Sequence, residues 1–188
     1  MMQLMLEKED LTFEPVNDKI VNIELEEFIH LLKKGEFKDD ISNSAVRVMP
    51  FLSIRIENSY LTYNLSMKKS AVLVFDITEE FEGDIVQQLF ANIKDEMLKR
   101  LKLKSTQMIS GSRLLFNGVL CNVTNAGYVT LYPLITLLFA PEHRNKISAK
   151  EDGVTAEFIS ISDMKENIND YYDTSHFIIN HATEYSLG

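Results

Sequence analysis

The sequence predicts an α+β fold in which a mainly antiparallel sheet, built of a meander and a hairpin, is crossed by one long amphipathic helix. Two observations lead to this fold class. Residues 84–104 repeat apolar side chains at helical spacing, and shorter segments on both sides alternate apolar and polar residues as strands do. With 188 residues, of which 45% are hydrophobic and 25% are charged, the chain can bury one core without disulfides or metals.

The long helix is predicted between Asp84 and Lys104. Its apolar stripe consists of Ile85, Val86, Leu89, Phe90, Ile93, Met97 and Leu101. Asp84 and Gln87 have the spacing of a capping box, which predicts the start of the helix. Basic residues gather at the other end, where the helix dipole favours cations: Lys99, Arg100, Lys102 and Lys104.

A smaller N-terminal helix is predicted between Asn22 and Lys34, because apolar residues share one face there and Gly35 stands where helices commonly end. No linker or internal repeat divides residues 1–188, which favours a single domain. The sequence leaves open whether residues 1–44 pack on that domain or form an N-terminal helical appendage.

A three-stranded meander is predicted between the two helices. Residues 46–57 and 61–67 alternate as half-buried strands do, and Pro50 predicts an interruption in the first of them. Residues 70–77 are apolar without a break at 71–75, which predicts a central strand.

A hairpin is predicted after the long helix, from strands at 113–124 and 128–138. Asn125, Ala126 and Gly127 suit its turn, since asparagine and glycine tolerate positive φ. Gly118 is predicted to mark a β-bulge. The remaining predicted segments are a charged loop at 141–152, a strand at 154–161, a short helix near 163–169 and a strand at 176–182.

The overall charge argues against general affinity for nucleic acid or anionic membranes, because the formal net charge of -9 would repel both polyanions. The basic end of the long helix, from Lys94 to Lys104, is diluted by Asp95 and Glu96, and no aromatic residue separates its cations. Nucleic-acid binding is therefore not expected. The longest apolar run, at 131–140, is too short to cross a membrane.

Cys121 is the only cysteine, so the chain cannot form an internal disulfide. Its place in a strand pattern predicts a core thiol rather than a nucleophile. The first residues, MMQLMLEKED, lack the pattern of a secretory signal. These features predict a cytoplasmic or otherwise intracellular protein, including one associated with a virion.

No catalytic or metal-binding motif is legible, and neither a metal nor another cofactor is expected. His176 and His181 are five residues apart, which would place them on opposite faces of a strand. His176 with Asp173 or Asp170 is the remaining candidate pair. An acidic cluster precedes the long helix and consists of Asp76, Glu79, Glu80, Glu82 and Asp84. It is interpreted as favourable charge at the start of that helix rather than as a cation site.

Two further motifs are interpreted as ordinary structure. Residues 66–69 have an S-x-x-K spacing, but they fall at a predicted turn rather than on the helix that this motif needs. Residues 110–113, Ser-Gly-Ser-Arg, could hold an anion, and a polar loop explains them equally well. No glycine-rich phosphate loop is present in the sequence.

The lack of a legible catalytic constellation favours a non-catalytic assembly or protein-binding module over an enzyme. Such a module would be a self-associating subunit of a larger complex, such as a viral or phage particle, with a protein or a second copy as its partner. Tyr171 and Tyr172 are its predicted interface, since tyrosines are favoured there. The alternative is a small enzyme with a dispersed active site on the sheet face, using His176 with a nearby carboxylate.

Overall fold

The computed structural model describes residues 2–39, 44–79, 83–103 and 111–182. The chain divides into two compact units, and each is assembled from three segments of the sequence. Unit one comprises Met1–Phe51, Val74–Asp95 and Phe116–Ile135. Unit two comprises Leu52–Leu73, Glu96–Leu115 and Thr136–Gly188.

The described residues form strands, α-helices and short 3-10 helices. The strands are β1 (Gln3–Glu7), β2 (Lys19–Val21), β3 (Glu36–Lys38), β4 (Ala45–Val48), β5 (Phe51–Ile56), β6 (Ser59–Asn64), β7 (Lys69–Ser70), β8 (Leu73–Val74), β9 (Leu101–Leu103), β10 (Arg113–Val123), β11 (Val129–Leu138), β12 (Ile147–Ala149) and β13 (Thr155–Ser160). The α-helices are α1 (Leu25–Leu32), α2 (Ile85–Arg100), α3 (Ile161–Glu166) and α4 (Asp173–His181). Short 3-10 helices cover Lys8–Asp10, Pro141–Lys146 and Ile168–Asp170.

Unit one is built around β1, which pairs antiparallel with β3 on one side and with β4 on the other. Strand β4 pairs parallel with β11, and β10 pairs with β11 and antiparallel with β2. Leu4, Met5 and Leu6 are all at most 2% exposed. Since successive side chains of a strand point to opposite faces, both faces of β1 are covered.

The N-terminal segment takes part in these ladders, because β1, β2 and β3 all lie within its first 44 residues. Helix α1 follows the predicted pattern: Phe28, Leu31 and Leu32 are buried, and the N–H of Gly35 donates to the carbonyl of Leu32 at 3.0 Å. The single-domain organisation itself stays a prediction.

Unit two is built around β6, which pairs antiparallel with β5, β7 and β13. Strands β9 and β12 form a separate two-stranded antiparallel ladder. Helices α3 and α4 follow β13 and bury Met164 and Ile179. The predicted α+β class is confirmed, and the sheet is mixed: it is mostly antiparallel, and β4 pairs parallel with β11.

Helix α2 begins as predicted and ends earlier than predicted. The N–H groups of Val86 and Gln87 donate to Asp84 Oδ1 at 2.9 and 3.0 Å, which satisfies two donors of the first turn. The helix ends at Arg100 because Leu101 enters the ladder with β12. Leu89, Ile93 and Met97 form the buried stripe as expected, whereas Phe90 is 48% exposed.

The predicted strand at 176–182 is wrong, because this segment belongs to helix α4. Its buried residues, Ser175, Ile178 and Ile179, recur at helical spacing. Asp173 adds a negative charge in the first turn, where the helix dipole favours it. The short run from Phe177 to Ile179 is apolar at every position and so does not distinguish a strand from a helix.

Two other segments differ from the prediction. The apolar run expected to form a central strand at 70–77 contributes only the two-residue strands β7 and β8. The loop expected at 141–152 instead contains a 3-10 helix and β12. The partner of β12 is β9, which lies more than 40 residues earlier in the sequence.

The hairpin between β10 and β11 is confirmed. Gly127 has a φ of 82°, and its N–H donates to the carbonyl of Thr124 at 2.8 Å. Gly118 has a φ of 89°, and a Cβ at this position would lie 2.6 Å from the carbonyl oxygen of Val21. Glycine is therefore required where β10 runs against β2. No helix among the described residues is long and apolar enough to cross a membrane.

Candidate functional site

Glu96 is the only acidic side chain that is buried among the residues that the structure describes. It lies one turn before the end of α2, and the residue is 8% exposed. Burying an ionised carboxylate is unfavourable unless it is paired and hydrogen-bonded. A carboxylate in this position therefore has to be stabilised by specific neighbours.

Arg100 supplies the first of these neighbours. It follows Glu96 by one helical turn, and its Nε donates to Glu96 Oε1 at 2.9 Å. The side chain of Arg100 is 53% exposed, whereas that of Glu96 is 11% exposed. The pair therefore joins a buried carboxylate to a guanidinium that an incoming anion can reach from solvent.

Tyr63 is the third residue of the candidate site, since it lies within electrostatic reach of Glu96 and Arg100. It lies on β6, opposite Ala156 of β13 and Ser70 of β7. Its hydroxyl is buried and has no hydrogen-bond partner among the described residues. Burial raises the pKa of Tyr63; Arg100 opposes this rise, and the charge of Glu96 adds to it. Tyr63 therefore remains a neutral hydroxyl that can donate a hydrogen bond.

Lys150 holds the end of α2 that carries this pair. Its backbone N–H donates to the carbonyl of Arg100 at 2.9 Å, and its Nζ donates to the carbonyl of Leu98 at 3.2 Å. The last carbonyls of a helix have no intrahelical partner, and a cation at this end is favoured by the helix dipole. The backbone of Arg100 is therefore held in place, even though its side chain is half exposed.

The arrangement has the parts of a general acid–base site. A buried carboxylate can accept a proton from water, and a neutral phenol can donate a hydrogen bond to an oxygen that gains negative charge. A guanidinium can neutralise an anionic group in two-pronged geometry. Glu96, Tyr63 and Arg100 are side chains of these three types, and all three lie in unit two.

His176, the candidate catalytic residue of the sequence, is engaged by backbone. Its Nε2 lies 3.0 Å from the carbonyl oxygen of Ile168 and 3.2 Å from that of Tyr171. Its Nδ1 lies 3.9 Å from a carboxylate oxygen of Asp173, whose side chain is 93% exposed. The ring therefore fastens α4 to the preceding turn, and His181 bonds within α4 to the carbonyl of Phe177.

The two tyrosines predicted as an interface differ in exposure. Tyr171 is 1% exposed, and burial raises its pKa. Its carbonyl accepts a hydrogen bond from Lys68 Nζ, the last residue but one of the S-x-x-K segment, at 3.4 Å. Tyr172 is half-buried, so it is the member of the pair that a partner protein can reach. The interface stays a prediction.

The acidic cluster is spread among separate structural roles. Asp76 pairs with Arg47 at 2.7 Å, and Asp84 caps α2. Glu79 is exposed, whereas Glu80 and Glu82 lie outside the described residues. Across the described ranges, no three side chains of His, Cys, Asp or Glu are grouped to hold a metal ion.

Cys121 is a core thiol, as predicted: it is buried and free, and burial raises its pKa. The other short motifs are only partly described. Lys104 of the basic helix end and Ser110 of the Ser-Gly-Ser-Arg segment lie outside the described residues.

Sequence reasoning missed both Glu96 and Tyr63 as candidates. Glu96 follows Ile93 by three residues and precedes Arg100 by four, so it shares the inward-facing side of α2 with Leu89 and Met97. A charged residue on the apolar face of a predicted helix is unusual, and the sequence pattern alone could have identified Glu96 as a candidate. Tyr63 gave no comparable signal, because its position in an alternating strand is ordinary.

Comparison with solved structures identifies the fold. The chain is similar to Tm1382, described as a candidate Nudix hydrolase, with a TM-score of 0.70 and 15% identity over 96% of this chain and 97% of that chain. A Nudix hydrolase from Nitrosomonas europaea matches with a TM-score of 0.37 and 17% identity over 73% of this chain and 89% of that chain. This likeness is too weak to show a shared fold. No protein-family model and no curated protein matches the sequence.

The likeness to Tm1382 corrects the functional interpretation drawn from the sequence. The prediction of a non-catalytic assembly module, such as a subunit of a viral or phage particle, was wrong, and so was the preference for a protein that is not an enzyme. The alternative of a small enzyme is the one that this fold favours. A fold does not by itself establish a reaction. The chain therefore has a Nudix-like fold, and its chemistry depends on its own residues.

Proposed function

We propose that this protein is a small hydrolase in which Glu96 is the general base. The observation that carries the proposal is the buried Glu96 carboxylate, which accepts a hydrogen bond from Arg100 and whose charge helps to raise the pKa of Tyr63, a buried hydroxyl with no hydrogen-bond partner among the described residues. The Nudix-like fold supports a hydrolase over a binding module. The proposal keeps the earlier idea of a dispersed active site and moves it from His176 to Glu96.

The proposed reaction uses water as the nucleophile. Arg100 bonds to Oε1 of Glu96, so Oε2 remains to accept a proton as a water molecule attacks the electrophilic atom of the substrate. The bond from that atom to the leaving oxygen then breaks. Tyr63 donates a hydrogen bond to an oxygen that gains negative charge in the attack. The proton on Glu96 is finally transferred to the leaving oxygen.

Arg100 favours a substrate with an anionic group. Its guanidinium is half exposed, and guanidinium groups match the geometry of phosphate and carboxylate oxygens. In this proposal Arg100 has two tasks, since it donates a hydrogen bond to the buried carboxylate of Glu96 and binds the substrate from the solvent side. A buried and free Cys121 suits a reducing compartment, so we propose that the enzyme acts inside the cell.

The proposal is tested by hydrolysis in ¹⁸O-labelled water. The purified protein is incubated with a panel of phosphate and carboxylate esters and anhydrides, and the products are analysed by mass spectrometry. We expect one class to be hydrolysed above the rate in buffer, with one labelled oxygen in the product for each bond broken. A purified, folded protein that accelerates no member of the panel contradicts the proposal.

A further inference from the structure

A second site is suggested by a surface cavity of about 240 Å³ in unit two, beside the ladder of β9 and β12. Its volume is below the roughly 300–1,000 Å³ of sites for drug-sized ligands, which suits a small ligand. The described residues that line it are Lys102, Leu103, Asn145, Lys146, Ile147 and Ser148. None of them carries a carboxylate, although acidic residues outnumber basic ones by 28 to 19 in the whole chain.

The ladder places the polar residues of the cavity on one face. Ser148 lies directly opposite Lys102, and residues opposite each other in an antiparallel pair project to the same face. Lys146 precedes Ser148 by two residues, and Ile147 between them is extended, with φ -120° and ψ 128°. Lys146 therefore projects to the same face as Ser148. Ile147, which is 7% exposed, lies on the other face opposite Leu103.

The two lysines have charge available for a ligand. Among the described residues, the side chain of neither Lys102 nor Lys146 makes an ion pair or a hydrogen bond. Some other lysines, by contrast, are engaged: Lys38 pairs with the carboxylate of Glu7, and Lys150 donates to the carbonyl of Leu98. Two ammonium groups, a hydroxyl and an amide on one concave surface form a set of donors without an acidic acceptor.

We propose that this cavity binds a small oxyanion bearing a phosphate group, held by Lys102 and Lys146 and oriented by Ser148 and Asn145. A lysine is a suitable point charge for phosphate, and each charge-assisted hydrogen bond strengthens binding. The site contains none of the groups assigned to hydrolysis. It is therefore a separate binding site, and the proposal for this cavity is independent of the proposal for hydrolysis.

The test is a titration of ¹⁵N-labelled protein with inorganic phosphate, followed by NMR, against sodium chloride of equal ionic strength. We expect saturable shifts of the amides of residues 102–103 and 145–148. The variants Lys102→Gln and Lys146→Gln each weaken the affinity about tenfold, which corresponds to the loss of one charge-assisted hydrogen bond. Glycerol phosphate in place of inorganic phosphate distinguishes a site for phosphate monoesters from one for the free ion.

Two control variants keep the result specific. Lys33→Gln removes an exposed lysine that does not line the cavity, and Glu96→Gln removes the proposed catalytic base. Both are expected to bind phosphate like the wild type. The proposal is contradicted if the amide shifts depend only on ionic strength. It is also contradicted if the double variant of Lys102 and Lys146 binds phosphate with unchanged affinity. If Glu96→Gln loses hydrolysis and still binds phosphate, the result supports a phosphate site that is separate from the hydrolytic site.

Discussion

The carboxylate of Glu96 is retained in the interior by contacts whose effect on stability is modest. Replacing a buried ion pair by well-packed apolar residues is often neutral or stabilising, because desolvation of the two charges offsets their attraction. Arg100 is half exposed, which further reduces the net contribution of the pair. The buried Tyr63 hydroxyl likewise has no described hydrogen-bond partner. We infer that these residues serve the reaction more than the fold.

Tyr63→Phe tests this inference for one hydroxyl. Removing a buried donor that has no partner should change the free energy of unfolding by less than about 1 kcal/mol, or increase it. Hydrolysis should slow, because a donor to the developing charge is lost. The measurements are urea denaturation and the rate constant kcat.

Tyr132→Phe is the matched control for stability. Burial raises the pKa of the Tyr132 hydroxyl, whereas Thr130, which lies within reach of this hydroxyl, lowers this pKa. Removal of the hydroxyl should lower the free energy of unfolding by about 0.5–1.5 kcal/mol. A larger loss of stability in Tyr63→Phe than in Tyr132→Phe would show that Tyr63 has a structural partner after all.

The ion pair between Lys38 and Glu7 gives a prediction for pH. The hydrogen bond from Lys38, at 2.7 Å, lowers the pKa of Glu7. A carboxyl group with a lowered folded-state pKa contributes stability above its ordinary pKa of about 4.3, and this contribution is lost as the pH falls through the folded-state value. Lys38→Met should therefore raise the pKa of Glu7 in an NMR titration.

Lys34→Met is the control for that titration. Lys34 is paired with Asp10 at 3.9 Å and does not contact Glu7 among the described residues. Its replacement should leave the pKa of Glu7 unchanged. A Glu7 pKa that is the same in Lys38→Met and in the wild type would show that this pair does not persist in solution.

At the scale of elements, α2 is defined by interactions at its two ends. Asp84 caps the first turn, and Lys150 binds the carbonyls of the last. The stripe of Leu89, Ile93 and Met97 fixes which side of the helix is buried. The position of Glu96 on the inner side of the helix is consequently set by the apolar stripe and the two helix ends.

Asp84→Ala tests the first of these ends. The loss of two hydrogen bonds to the N-terminal turn should lower the free energy of unfolding by about 1 kcal/mol, measured by urea denaturation. Asp84→Asn should recover most of this loss, because the amide oxygen also accepts from Val86 and Gln87. Equal stability of Asp84→Ala and the wild type would contradict the cap.

At the scale of the whole molecule, the local parts of the fold were predictable and the long-range pairings were not. The stripe of α2 and the turn at Gly127 follow from spacing and from backbone preferences. Strands β4 and β11 pair across more than 80 residues of sequence, and β9 and β12 across more than 40. No local sequence pattern can indicate pairings over such separations. The apolar run that became α4 is too short for its periodicity to decide between helix and strand.

The candidate site could be predicted only in part for the same reason. Glu96 and Arg100 are one helical turn apart, and their inward spacing is visible in the sequence. Tyr63 lies 33 residues before Glu96, and only the fold of unit two brings it within electrostatic reach. A residue whose function depends on such a neighbour shows no motif.

The central claim is that Glu96 is the base of a hydrolase, and the most direct measurement is kcat for Glu96→Gln on the substrate class that the wild type hydrolyses. Glu166→Gln, which changes an exposed carboxyl at the end of α3, is the control for the loss of one negative charge. We expect kcat to fall by about 10²–10⁴ in Glu96→Gln, the range for loss of a general base, and to stay unchanged in Glu166→Gln. A Glu96→Gln protein that hydrolyses at the wild-type rate would contradict the claim.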